Sequence, residues 1–505
     1  MNTPSRQIDK LPTGINGFDF LADGGLPANR TTLVSGTSGS AKTVFAAQFL
    51  VEGMRQFGHT GVFVTFEETP EDIRRNMASL GMDIAALEAA GQWRFVDATP
   101  VAGEEVVVAG EYDLSALMAR MSNAVKLLGA SRVAVDSLGA IFAQFTESQI
   151  VRRELFRIAS GLKEMGVTTI MTAERLEDYG PIARFGVEEF VADNVIVLRN
   201  VLEDQKRRRT LEIFKFRGTS HFKGEFPFTI VPGEGLVTLP IAAIELKQGS
   251  TDTRIGTGST ALDKMCGGGL FRDSIILVSG ATGCGKTLLT TEFIAAGIQA
   301  NERCLLLAFE ESHDQLFRNA ASWGKDFASM EAAGQLKVIA VYPESKSLED
   351  HQIAIKKEIE RFRPQRIAVD SLSALERMST IKSFREFVIG LTSFIKHKQM
   401  VGLFTATTGS LMGGESVTEA HISTITDTII LLRYVEMFGD MRRGITVLKM
   451  RGSNHDKEIR EYTIDGHGMH ILKPFRNVTG ILAGRPRHVP LDELERMGTM
   501  FGEGS

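Results

Sequence analysis

Two lysines, each closing a glycine-rich stretch and each followed by a threonine, are the side chains of this sequence best suited to phosphate chemistry. Gly280-Ala-Thr-Gly-Cys-Gly-Lys-Thr287 fits the Walker A phosphate-loop pattern at every fixed position; Gly36-Thr-Ser-Gly-Ser-Ala-Lys-Thr43 fits it with one departure, Ala41 for glycine. Such glycines let successive N–H groups turn inward on a polyphosphate, and the following helix adds the positive end of its dipole. The lysine then reaches the terminal phosphates, and the threonine hydroxyl suits Mg²⁺. The residues assigned to nucleotide are Ser38, Gly39, Ser40, Ala41, Lys42 and Thr43 in the first loop. In the second they are Thr282, Gly283, Cys284, Gly285, Lys286, Thr287 and Leu288. Alanine disfavours positive φ, so Ala41 costs the first loop little only if it already lies in the helix. Cys284 is read as a small side chain tolerated by a backbone cradle; a thiol activated by Lys286 is the alternative.

Acids follow in the same order twice. Gly61-Val-Phe-Val-Thr-Phe-Glu67-Glu68 and Cys304-Leu-Leu-Leu-Ala-Phe-Glu310-Glu311 carry carboxylate pairs past an apolar strand, where they can orient an attacking water or take a proton from a hydroxyl. Arg132-Val-Ala-Val-Asp136 and Arg366-Ile-Ala-Val-Asp370 are Walker B patterns, delivering aspartate to the sheet edge where ligands of doubly wound folds gather. The metal set expected from these motifs is Thr43 and Asp136 in one half, and Thr287 and Asp370 in the other. Each half ends in a basic strand motif, Lys215-Phe216-Arg217-Gly-Thr219-Ser-His221 and Lys449-Met450-Arg451-Gly-Ser-Asn-His455, read as charge stabilisation of a phosphoryl group or as a solvated edge.

The elements that position these residues repeat as one module. Thr13-Gly-Ile-Asn-Gly-Phe-Asp19 aligns with Thr257-Gly-Ser-Thr-Ala-Leu-Asp263, then come apolar strand, loop and a helix with apolar residues at helical spacing (Val44, Phe45, Phe49, Leu50; Leu288, Leu289, Phe293, Ile294). The fold class expected is α/β: two tandem RecA-like P-loop NTPase domains, each a twisted, mostly parallel sheet flanked by helices. The bounds are 1–240 and 255–475, with a linker at 241–254 and a tail at 476–505. The halves differ twice. The first has nine more residues between its acid pair and its Walker B aspartate, within Ala98–Asp113, which suggests a projecting partner loop. The second has His421-Ile-Ser-Thr-Ile-Thr-Asp427 where the first has Val187-Glu-Glu-Phe-Val-Ala-Asp193, so only the second offers hydroxyls, Ser423 and Thr424, which are read as targets of self-phosphorylation if they approach a γ-phosphate or as a structural pair.

Composition narrows the class. The chain of 505 residues is 43% hydrophobic and 24% charged with a net charge of −5, so no global attraction to nucleic acid or anionic membrane is present. Its polar start carries no signal core and no run reaches a membrane span, which makes the cytoplasm the expected location. Three cysteines, Cys266, Cys284 and Cys304, lack CxxC spacing and read as reduced, unpaired thiols. A RecA-class DNA-dependent ATPase or recombinase shares these loops, but Val401–Leu432 holds no lysine or arginine where a strand-binding ring needs cations. A nucleotide-gated scaffold with little catalysis is the third reading.

Taken together, the doubled loops, Glu310-Glu311, His421–Leu432 and Lys449-Met-Arg-Gly-Ser453 resemble the KaiC family of circadian clock proteins over nearly the whole chain. The resemblance implies a double-ring homohexamer with Mg-ATP between subunits. Its N-terminal ring would be a slow ATPase and its C-terminal ring a serine/threonine autokinase and autophosphatase, with Ser423 and Thr424 as targets and Thr418 nearby. It implies that Glu67 and Glu68 serve hydrolysis and that Glu310 and Glu311 act as base and metal partner. Lys215, Phe216, Arg217, Thr219 and His221, with Lys449, Met450, Arg451 and Lys457, would reach nucleotide across the interface, and Ser79 and Trp323 would contact adenine. The region 105–117 resembles a KaiB-docking loop. The tail matches the KaiA-responsive segment poorly, which puts KaiA dependence in doubt and favours a timer or stress regulator over a self-sustained clock. Neither nucleic acid nor membrane is an expected partner.

Overall fold

The computed structural model describes residues 8–99, 114–139, 148–184, 186, 188–203, 206–239, 249–408, 422–437, 439–476, 478–481 and 487–488. The chain divides into two compact units, Met1–Ala243 and Ile244–Ser505. Within each, short runs rich in Val, Ile, Leu and Thr are buried on both faces, the pattern that only a parallel sheet covered by helices can accommodate. In the first unit the loop strand Thr31–Gly36 lies in the middle of a nine-stranded sheet, parallel to Thr168–Glu174 on one side and Asn194–Glu203 on the other. Arg132–Asp136, Gly61–Thr65 and Trp93–Asp97 continue the parallel half, and Lys206–Phe216, Glu225–Val231 and Gly235–Thr238 close the other side antiparallel. The second unit repeats this order around Ile275–Gly280, flanked by Val401–Thr407 and Thr428–Met437.

This order puts one strand between the phosphate loop and the Walker B aspartate, so both reach the same sheet edge with a gap between them. The apolar faces fill two cores per unit: the helix Lys42–Phe57 packs Phe45, Phe49 and Leu50 on one face, as Lys286–Gln299 packs Leu288, Leu289 and Phe293. A buried arginine locks the lead-in segment onto each sheet. Arg132 donates to the carbonyls of Phe49 (2.7 Å) and Pro12 (2.6 Å), and its Nε to His59 Nδ1 (3.0 Å). Arg366 donates to the Gly256 carbonyl (2.7 Å) and pairs with Glu302 (2.5 Å). Burial brings the Arg132 guanidinium down to about 10. All three cysteines are buried and free. Most of the partner loop in Ala98–Asp113, residues 241–248 of the linker and most of the tail lie outside the described residues. No described helix is long and apolar enough to cross a membrane.

Candidate nucleotide sites and the hydroxyl turn

Each loop spans from the buried end of its strand to the first turn of its helix, and its geometry is set by residues with φ above zero. Gly283 and Gly285 have φ of 79° and 98°; in the first loop Gly39 has 74°. Ala41 corrects the sequence expectation: it is not helical but the left-handed residue before the helix, with φ 73° and ψ 31°. The phosphate loop imposes that angle whatever residue sits there, and an L-residue with a Cβ is strained by it.

The lysines fold back on their own loops. Lys42 Nζ donates to the carbonyls of Gly36 and Thr37, both at 3.0 Å, and Lys286 Nζ to those of Gly280 (2.9 Å) and Ala281 (3.0 Å). Thr43 Oγ1 donates to Asp136 Oδ2 at 2.7 Å, and Thr287 is hydrogen-bonded to Asp370 in the same way. A hydroxyl, a carboxylate and an ammonium thus converge on a helix N-terminus, a donor set that fits a phosphate with a hard cation. Ser40 Oγ is buried beneath the first loop with no hydrogen-bond partner among the described residues.

The acid pairs sit two residues beyond their strands and are held apart. Ser137 Oγ donates to Glu67 Oε1 (2.7 Å) and Ser371 Oγ to Glu310 Oε2 (2.9 Å). Asn76 donates to Glu68 (3.0 Å) and Asn319 to Glu311 (2.9 Å). Burial lifts the carboxyls of Glu68 and Glu311 above their ordinary range, with Asp136 and Asp370 adding like charge and the two asparagines opposing. A carboxyl so raised lies closer to neutral pH, where general-base catalysis is most effective. Burial also raises Asp370, against hydrogen bonds from Thr405 and Thr287. The halves part company at Glu310, which pairs with Arg377; the repeat aligns Arg377 with Ala143, which has no charge to offer.

Neither basic motif lies free. Lys449 Nζ donates to the carbonyls of Ser423 (2.9 Å) and Thr426 (2.7 Å), and Arg451 to that of Thr424 (2.8 Å). They hold the backbone of a 3₁₀ turn, Ile422–Thr424, leaving Ser423 half-buried and Thr424 exposed. Lys215 grips the carbonyls of Glu189 (2.7 Å) and Ala192 (2.8 Å) in the first unit, where the short helix Glu188–Val191 stands in place of the turn. Phe216 is buried beside His221, whose imidazole burial lowers below its ordinary range, while Arg217 and Lys457 are exposed. Ser79 and Trp323 take equivalent places, each capping the C-terminus of the helix after its acid pair. Cys284 is fully buried, and burial pushes its thiol up despite Lys286, as expected of a small side chain beneath a backbone cradle. Thr418 and residues 105–113 of the partner loop lie outside the described residues.

Sequence reasoning missed the groups that orient these acids: Thr172 and Thr405 on the Walker B aspartates, Asn76 and Asn319, and the serines after each aspartate. Each is the same residue type in both repeats, and that identity is the signal that could have found them.

A glycine loop between strand and helix, with its lysine, hydroxyl and second-strand aspartate on this sheet order, defines each unit as a RecA-like P-loop NTPase domain and the chain as a tandem of two. The family model described as "ATPase: KaiC" matches residues 11–243 and again 255–475. The chain belongs to the KaiC family of nucleotide-binding ATPases. It is 64% identical over 496 residues to "Circadian clock protein KaiC3" of Synechocystis sp. (strain ATCC 27184 / PCC 6803 / Kazusa), covering 98% of each chain. It is 54% identical to "Circadian clock oscillator protein KaiC" of Thermostichus vulcanus over 490 residues, 97% of this chain and 94% of the relative. Identity to the Synechococcus elongatus protein of the same name is 54% over 493 residues, with the same coverage.

Proposed function

We propose that this chain is a KaiC-type clock or timer ATPase whose first unit hydrolyses ATP slowly and whose second unit transfers phosphate to and from its own Ser423 and Thr424. The observation that carries the reading is the hydroxyl turn: it is pinned by Lys449 and Arg451 in the unit whose phosphate loop is fully glycine-substituted, and its counterpart holds Glu189 and Phe190. The names of the relatives above support the clock role.

In each unit the loop amides and lysine bind the polyphosphate, and the raised carboxylate takes the proton, from water at Glu68 and from a side-chain hydroxyl at Glu311. Bound Mg²⁺, held by Thr43 with Asp136 or by Thr287 with Glu310 and Asp370, would offset charge on the phosphoryl oxygens. Because Lys449 and Arg451 hold their own turn, each turn reads as a rigid edge offered to the nucleotide of a neighbouring subunit. A homohexamer supplies that neighbour, and a KaiB-like protein at 105–117 is the partner this reading includes. Incubation with Mg-ATP followed by phosphopeptide mapping is the test: phosphate at Ser423 and Thr424 supports the reading, and label elsewhere or nowhere overturns it.

A further inference from the structure

The two phosphate helices differ at one buried position. Gln48 in the first and Glu292 in the second lie under equivalent glycine turns, Gly235 and Gly468, each close enough that an added Cβ would strike the side-chain oxygen. Gln48 Oε1 accepts from Leu236 N–H (2.7 Å), and its Nε2 donates to the carbonyls of Glu234 (2.9 Å) and Leu236 (3.2 Å). Glu292 keeps the first bond, accepting from Met469 N–H at 2.8 Å. Its other oxygen is buried and has no partner among the described residues, although the residue is only 7% exposed. An orphaned buried carboxylate oxygen is costly, whereas a protonated carboxyl is a donor.

We propose that Glu292 is a positioning residue held protonated in the folded second unit, its O–H donating to the hairpin carbonyls in place of the Gln48 amide. Loss of that proton to water would then loosen the hairpin. The surroundings agree. Burial drives the carboxyl upward, opposed by the Met469 N–H and more weakly by Lys325 and His470. A cavity of about 490 Å³ beside it is lined by Lys325 from one loop, His467 and His470 from the hairpin, and the hydroxyls Ser259 and Thr260 from the lead-in segment.

The hairpin, Arg460–Asp465 with Gly468–Pro474, is what the second phosphate loop leans on. Tyr462 donates its hydroxyl to the Cys284 carbonyl, and Ile464 and Met469 close over Gly285. The inference therefore extends to nucleotide binding, becoming weaker with rising pH in the second unit only; that extension rests on the proposed function, while the proton latch does not.

Hydrogen exchange on the full chain without nucleotide, from pH 5.5 to 8.5 and corrected for intrinsic rates, tests the latch. In the wild type, protection of 461–474 should fall as pH rises from the ordinary carboxyl range towards the folded pKa, by up to about tenfold per pH unit, the limit for one proton, and level off above it, while 226–239 shows no such loss. Glu292→Gln should keep the protection at all pH values, and Gln48→Glu should transfer the loss to 226–239. A flat wild-type profile overturns the proposal, as does a Glu292→Gln hairpin less protected than wild type throughout. If the latch behaves as expected but ATP affinity of the second unit does not follow it, the nucleotide reading fails and the latch stands.

Discussion

Writing the first loop's alanine into the second, Gly285→Ala, tests whether the left-handed residue before each phosphate helix governs the loop. At φ 98° and ψ 23°, Gly285 pays nothing for its conformation, whereas an alanine there costs ~1–2 kcal/mol. The added Cβ would also lie 2.8 Å from Ile464 Cδ1 and 3.3 Å from Met469 Cε. Both are ends of flexible side chains, so displacing them costs at the lower end of the ~1–3 kcal/mol typical of overpacking. Alanine's stiffer unfolded chain returns ~0.4–1 kcal/mol, leaving a loss of about 2 kcal/mol. The reciprocal Ala41→Gly relieves similar strain but loosens the unfolded chain and gives up a half-buried methyl, for a gain of about 0.5 kcal/mol. The protein has two tryptophans, Trp93 in the first unit and Trp323 in the second. Urea unfolding followed by fluorescence, with one or the other changed to Phe, therefore reads each unit separately. A Gly285→Ala midpoint equal to wild type, or an Ala41→Gly variant destabilised by about 1 kcal/mol or more, refutes the reasoning.

The buried arginines give the units different acid sensitivities, because the repeat aligns His59 with Glu302. Burial and Arg132 lower the His59 pKa, so the stability it contributes is present above its ordinary 6.5 and is lost as pH falls below that value through the folded pKa. Burial alone would raise Glu302, but Arg366 and Arg272 overcome it and hold the carboxyl low, so its contribution persists to below 4.5. Acid titration of Trp93 and Trp323 fluorescence should show the first unit weakening at the higher pH; the opposite order contradicts this. Glu302→Gln leaves Arg366 buried without its anion and should cost ~3–5 kcal/mol in the second unit, measured by the same urea unfolding. Cys266 and Cys304, pushed up to about 12 by burial, and Cys284 should all resist a thiol reagent until the chain is denatured; rapid native labelling of Cys284 would revive the activated-thiol reading.

The strands, loops and Walker B aspartates were legible in the sequence because apolar runs and glycine spacing are local signals, and the repeat confirmed each one internally. Ala41 shows where such signals stop. Its residue type suggests a helix, while its φ is dictated by the loop that precedes it. The roles of Lys449 and Arg451 were half legible: their charge pointed to phosphate, but within the subunit their bonds go to backbone carbonyls that no side-chain pattern reveals. Arg377 is distant in sequence from Glu310 and was overlooked because its counterpart, Ala143, gives the repeat nothing to match. Glu292 escaped for the opposite reason, since a Gln-to-Glu exchange looks conservative until the hairpin carbonyls show that only the amide hydrogens matter.

The claim that one module serves two chemistries is tested most directly by measuring phosphate release and phosphorylation of Ser423 and Thr424 together in Glu68→Gln and Glu311→Gln. The account predicts that Glu311→Gln abolishes phosphorylation while most phosphate release survives, and that Glu68→Gln does the reverse, each remaining activity within about twofold of wild type and each lost one down by the roughly 10²–10⁴-fold that a general base contributes. Equal loss of both activities in both variants would contradict it.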